Sequence, residues 1–486
     1  MARRRTDLKE GTMARTGHQG ARRAACQAAL SRALLPLLAA TPAMAAIPAA
    51  AGNAGWQALF DGRDLDGWTR AGGAAEYSVV DGAIVGRSVA DTPNTFLVTE
   101  ERYGDFILEY EARVDPALNS GVQVRSNLDE RGIVAGYQVE IDPSERAFTG
   151  GIYDEQRRQW LYPLSRNETG RGAFRNGTWN RFRVEAIGDT INVWVNGIQT
   201  ARLVDDMTGE GFIGLQVHGI ADAALAGTTV AWRNLRILTH DLEQHRQPAD
   251  PAVVELSFLV NRLSDYERRH GWRLLWDGET SDGWQGARLD TFPGSGWTIA
   301  DGALTVEATD GGEAAGPGDI VTTASFGEFE LALEFRITEG ANSGIKYYVD
   351  PEQNRGEGSA IGCEFQILDD ERHPDAKEGV AGNRTLGALY DLIAPENHSA
   401  PGRPKQFKGI GAWNQARIVA RGGRVEHWLN NEKVVEFDRT SQAFRALVAY
   451  SKYRVWPGFC QWPDGRILLQ DHGNEVSFRS IKVREF

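Results

Sequence analysis

Cysteine is scarce. The 486-residue chain has three, and only Cys363 and Cys460 lie beyond its first 45 residues. That excludes a small scaffold held together by many disulfides. One bridge is open to an oxidising compartment, but two small buried thiols are the plainer expectation, because neither cysteine sits in a Cys-rich setting. No apolar run in the body of the chain is long enough for a membrane-spanning helix. Basic charge is in deficit as well. Lys and Arg number 53 against 66 Asp and Glu, a formal net charge of −13. Such a chain repels nucleic acid and anionic lipid, so neither is expected as a partner. A neutral or cationic ligand, or one reached through a bound cation, fits better.

What is plentiful is glycine, at 55, and tryptophan, at 14. Gly-rich turns and aromatics favour an all-β chain. The first 45 residues differ from the rest. Arg22 and Arg23 precede the apolar stretch "ALSRALLPLLAATPAMA", which ends in Ala43-Met44-Ala45. Basic segment, apolar core and small-residue site in that order read as a secretory signal over residues 1–45, which predicts a periplasmic or secreted protein. Removing it takes away eight basic and two acidic side chains and leaves the remainder more acidic still.

The phrase "LFDGRDLDGW" (Leu59–Trp68) returns as "LLWDGETSDGW" (Leu274–Trp284). Other phrases follow in the same order. "YSVVDGAIVG" is matched by "WTIADGALTV", "NSGVQVRS" by "NSGIKYYV", "TWNRFRVEAIGDTINVWVNG" by "AWNQARIVARGGRVEHWLNN", and "LQVHG" by "LQDHG". This is a tandem duplication. Its pieces alternate apolar and polar at period two, with Asp-Gly and Asn-Gly pairs between them, as antiparallel strands joined by tight turns do. The fold class expected is all-β: a sandwich or jelly roll over residues 54–240 and another over 271–486. In the segment 241–270 between them, Asp250 and Pro251 can open a helix. Val254, Phe258, Leu259 and Leu263 recur there at helical spacing, so a linker helix is expected.

At "CEFQILDDERHPDAKEGVAGNRTLGALYDLI", flanked by "NSGIKYY" and "GRILLQDHGNEVSFRSIKVREF", the second half resembles the 3-keto-disaccharide hydrolase family. The first half resembles it through "NSGVQVRS", "YQVEID", "GGIYDE" and "LQVHG". The resemblance implies a concanavalin A-like jelly roll in each half. It also implies cleavage of glycosides whose glucosyl unit carries a ketone at C3, by elimination and hydration or by hydrolysis. An upstream oxidoreductase that makes the 3-ketone is then an expected pathway partner. A 3-ketone acidifies the hydrogen on C2, so such a site needs a base, a cation or donor for the C3 oxygen, and an acid for the leaving oxygen. A divalent metal, calcium or a transition metal, could serve as the Lewis acid; no organic cofactor is expected.

Candidate residues follow from strand parity. In "IGCEFQIL", Glu364 and Gln366 share one face, with Cys363, Phe365 and Ile367 on the other. Gln138 and Glu140 repeat the pair in the first half in swapped order. His472 in "QDHG" and His218 in "QVHG" match, and histidine is a natural base or metal ligand near neutral pH. The resemblance implies that His472 faces Glu364. Lys346 and Arg125 follow the shared Asn-Ser-Gly turn, which includes Asn342, and are expected to point to the same side as sugar contacts. Tyr390 and Tyr153, in "LYD" and "IYD", are candidate acid or stacking groups. Arg384 is expected beside the substrate, orienting an acidic loop in which Asp369, His373 and Asp375 are candidate metal ligands. The second half carries the richer set, so Glu364, His472, Lys346 and Tyr390 are its expected catalytic residues. The competing reading is a non-catalytic, lectin-like carbohydrate-binding protein, since one fold serves both.

Overall fold

A computed structural model describes residues 55–309, 318–353 and 358–486. The expected signal segment, residues 1–45, lies outside the described residues. Among them the chain forms four antiparallel-dominated sheets, two per half. In the first half a nine-stranded and a seven-stranded sheet enclose one apolar core; in the second an eight-stranded and a five-stranded sheet enclose another. The molecule is therefore all-β, built as two sandwiches.

The duplicated phrase has one structural job in both copies. The Trp68 indole N–H donates to the carbonyl of Leu59 at 2.8 Å, and that of Trp284 to Leu275 at 2.9 Å. Each indole closes its turn and sinks into its own core, which satisfies a buried donor while burying a large ring. Trp68–Gly72 and Trp284–Gly286 are edge strands of the seven- and five-stranded sheets.

The segment between the sandwiches departs from the expected linker helix. Residues 250–253 make a turn, with Val253 N–H donating to Asp250 O. Leu256–Ser257 then adds a parallel strand to Ile198–Val204 at the edge of the first sandwich. Pairing an open edge satisfies the backbone there, and Val253, Leu256 and Phe258 still enter the first core. The helix comes later, Asp265–Arg269, where Ser264 and Glu267 form a reciprocal capping box. Asn261 has by then reached the second sandwich: it accepts from Ser480 N–H at 2.7 Å and donates to Gly302 O at 2.8 Å.

Candidate active site

Two neighbouring strands of the five-stranded sheet carry the centre of the site. Asn342–Asp350 pairs with Ile361–Leu368 in a register that sets Lys346 opposite Glu364 and Gly344 opposite Gln366. Cys363, Phe365 and Ile367 point into the core and are fully buried, so Glu364 and Gln366 must point away from it, as the alternation predicts. They line a cleft of about 290 Å³ with Asn342, Lys346, Tyr390 and His472. Ser359, Gln470, Lys452, Tyr453 and Trp456 also line it.

Gly344 explains the shared Asn-Ser-Gly phrase. The Glu364 carboxylate lies across its bare Cα, and a Cβ there would collide with Oε1. Gly121 plays the same part under Gln138 in the first sandwich. Lys346 Nζ lies 3.8 Å from Glu364 Oε2. It donates to Ser359 Oγ and to Ala360 O, the latter at 3.3 Å. Ser359 Oγ in turn donates to Asp319, whose other oxygen accepts from Asp471 N–H at 3.0 Å. Asp471 also accepts from Gly473 N–H at 2.9 Å, so its backbone and side chain brace the turn that presents half-buried His472. One chain of hydrogen bonds thus runs from Lys346 to the backbone that carries His472.

Gln366 Nε2 donates to Asn342 Oδ1 at 3.0 Å, while its buried Oε1 has no protein partner. An acceptor held dry without a donor suits a hydroxyl-bearing ligand. Tyr390 O–H donates to Asp375 at 2.8 Å. Burial, with Asp375 beside it, pushes this phenol well above the usual tyrosine range, so it stays protonated.

Other expectations are met differently. Arg384 does not line the cleft. It sits behind Tyr390, bonding Asp375 and Asp391 at 2.8 Å each, with its guanidinium 5.5 Å from the Tyr390 ring. Asp369, His373 and Asp375 do not form a ligand set. Asp369 accepts from the backbone N–H groups of Gly340, Glu371 and Arg372, and Asp375 is engaged by Tyr390 and Arg384. Nδ1 of His373 accepts from Asp375 N–H at 3.2 Å, and its ring lies edge-on to His472, 6.0 Å away. Burial and the neighbouring His472 lower the His373 pKa. Among the described residues no three His, Cys, Asp or Glu side chains are grouped to hold a metal ion, so this donor set does not fit one.

The first sandwich has the same frame with altered chemistry. Gln123 stands opposite Gln138, where the second copy has Lys346 opposite Glu364. Glu140 takes the place of Gln366. It accepts from Asn119 at 2.7 Å and from Gln138 at 2.9 Å, and burial raises its pKa to about 7. Gln138 also accepts from Gln123 at 2.8 Å, so these polar groups bond one another. Tyr153 packs edge-on against Trp160, and exposed His218 bonds the carbonyl of Gly219. Arg125 does not share Lys346's direction. Its true counterpart is Tyr348: both have positive φ, 49° and 53°, at a shared irregularity of the strand. The bulge turns each side chain to a matching glycine carbonyl, Gly104 for Arg125 and Gly327 for Tyr348, at 2.8 Å. Arg125 is buried as a clamp, bonding also Gly188 O and Asp105.

Sequence reasoning missed the wall residues Lys452, Tyr453 and Trp456. They lie in an insertion, residues 439–464, where the first sandwich joins the matching strands through 205–211 alone. The insertion carries the helix Gln442–Tyr450 and a short 3-10 turn, Lys452–Val455. Cys460 at its end is disulfide-bonded to Cys363, the residue before Glu364, with Cα atoms 5.6 Å apart. The two thiols expected free are thus a bridge between the wall and the strand that bears the carboxylate. Gln470 had a signal, since "LQDHG" and "LQVHG" share it two residues before the histidine.

The 3-keto-α-glucoside-1,2-lyase-like domain family matches residues 55–238 and 271–484. A 3-keto-disaccharide hydrolase of Bacteroides thetaiotaomicron is 35% identical over 234 residues, covering 44% of this chain and 78% of that protein. A crystal structure of a candidate glycosyl hydrolase from Parabacteroides distasonis is 27% identical, covering 47% of this chain and 99% of that one, with a TM-score of 0.40. A second from the same organism is 24% identical, covering 44% and 99%, with a TM-score of 0.32.

Proposed function

The chain belongs to the 3-keto-α-glucoside-1,2-lyase-like family, and on that premise we propose that its second sandwich cleaves 3-keto-glycosides. The observation that carries the proposal is the convergence of a carboxylate, an ammonium and an imidazole on one cleft. A lectin face needs no such proton-transfer set.

Glu364 takes the proton from C2, next to the 3-ketone. The electron pair left behind spreads onto the C3 oxygen, where the Lys346 ammonium offsets the developing charge. The pair then forms the C1–C2 double bond as the C1–oxygen bond breaks, and His472 gives its proton to the leaving oxygen. Water adds afterwards, hydroxyl to C1 and a proton to C2, so glycosidic oxygen and sugar are both recovered with all atoms accounted for. A carboxylate alone is a weak base for a carbon acid; lowering the enediolate beside Lys346 makes it adequate. Gln366 Oε1 and Asn342 orient ring hydroxyls. The substrate's ketone requires a preceding oxidation at C3, hence an oxidoreductase upstream.

Incubation of the protein with a 3-keto-disaccharide, with and without chelator, tests the reading. Released sugar is expected in both arms; no release under any condition would favour a binding protein. The reading includes export, and N-terminal sequencing of exported material should begin near Ala46.

A further inference from the structure

We propose that the insertion 439–464 is an aglycone platform, and that the preferred leaving group is a flat aromatic one. This rests on the reading of the cleft as a 3-keto-glycoside site. The cleft is polar and, at about 290 Å³, takes one glycosyl ring rather than a chain. Whatever is attached at C1 must then lie outside it, against the wall.

The wall continues outward as apolar surface. Phe444 anchors the helix by stacking on Phe437, ring centroids 5.2 Å apart, and Tyr453 stacks on Phe459 at 4.0 Å. Val448 also packs against the core, while other apolar residues of the insertion turn to solvent. Tyr450 is 91% exposed, Val455 64%, and Leu447 is also open. Apolar groups exposed together, as distinct from singly, mark ligand-binding or interaction surfaces. In sequence they flank the wall of the cleft: Tyr450 precedes cleft-lining Lys452 by two residues, and Val455 is followed by cleft-lining Trp456. The insertion also occurs only in the sandwich that has Lys346 opposite Glu364, and its far end is bonded covalently to the strand of Glu364. Exposed Tyr and half-buried Trp present flat faces on which an aromatic ring stacks.

The test compares kcat/KM for a 4-nitrophenyl 3-keto-glucoside and for a 3-keto-disaccharide, in wild type, Tyr450→Ser and Val455→Ser. A loss of about tenfold is expected for the aryl substrate, the scale of one missing apolar contact, and less than about twofold for the disaccharide. Equal effects on both substrates, or none, would overturn the inference while leaving the cleavage reading intact. If wild type cleaves neither substrate, the cleavage reading fails, and titration calorimetry with unoxidised 4-nitrophenyl glucoside decides the platform separately: saturable binding weakened about tenfold by Tyr450→Ser upholds it, and unchanged or absent binding removes it. A dimer in sedimentation that Tyr450→Ser dissolves would assign the strip to self-association and overturn the inference.

Discussion

Lys346 and Glu364 face each other across one antiparallel strand pair, Nζ 3.8 Å from Oε2, and both are buried. An ammonium and a carboxylate so placed can serve the two ends of one proton abstraction. Glu364→Gln keeps the shape and removes the base, so turnover of a 3-keto-glycoside should fall roughly 10²–10⁴-fold. Lys346→Met should cost roughly 10²–10³-fold through the lost charge stabilisation. Circular dichroism should show an unchanged fold in both. Full turnover in either variant would remove that residue from the mechanism.

Ser359 is a positioning residue rather than a reacting one. It links Lys346 to Asp319, which holds the backbone of Asp471. Ser359→Ala should lower kcat about tenfold with KM little changed, because the substrate is still bound but the ammonium is misplaced. The double variant Ser359→Ala/Lys346→Met should be no slower than Lys346→Met alone, since the serine acts through the lysine. Additive losses would show that Ser359 contributes by another route.

The parts legible in the sequence were those governed by local periodicity. Parity along "CEFQIL" placed Glu364 and Gln366 together and Cys363 in the core, and the repeated phrases marked two sandwiches. Non-local features were not legible. Ser359 and Asp319 reach Lys346 only after loops and strands from three parts of the chain meet, and Trp456 has no counterpart in the first copy to flag it. Counting alternate residues past the bulge at Arg125 gave the wrong side, because an inserted residue resets the parity. The linker's helix forms at Asp265–Arg269 and not from Asp250, because an unpaired sheet edge outcompeted helical spacing in the short apolar segment after it.

The Cys363–Cys460 bridge closes a long stretch of chain, a sequence separation of 97, and joins the cleft wall to the sheet. A crosslink of that span is worth about 4–5 kcal/mol in the chain-entropy account. Cys363→Ala/Cys460→Ala should therefore lower the melting temperature and raise KM several-fold as the wall loosens. Hydrogen exchange should increase around residues 439–464 and stay unchanged in residues 55–240. Uniform change throughout the chain would contradict a local role.

Acidity should act on the two sandwiches in opposite directions. Burial lifts the Glu140 pKa from 4.5 to about 7, so between those values the folded protein holds a proton that the unfolded chain has released. Its contribution is full below about pH 4.5 and is lost as pH rises through 7, on the order of 3 kcal/mol. Glu140→Gln should remove that decline. His427 behaves conversely. It is fully buried beneath the strand of Lys346, with Nε2 accepting from Tyr347 O–H at 2.8 Å and Nδ1–H donating to Gly387 O at 3.1 Å. The bond from Tyr347 requires an unprotonated Nε2, and burial lowers the His427 pKa from 6.5 to about 4. Its contribution is present above pH 6.5 and is lost as pH falls through 4, again on the order of 3 kcal/mol. Urea unfolding from pH 4 to 8, read as the difference between each variant and wild type, isolates the two groups. Relative to wild type, Glu140→Gln should gain stability towards pH 8, and His427→Gln should lose least at pH 4 and most above pH 6.5. A pH-independent difference for Glu140→Gln would mean that its carboxyl binds protons alike in the folded and unfolded chain, with no proton retained near neutrality.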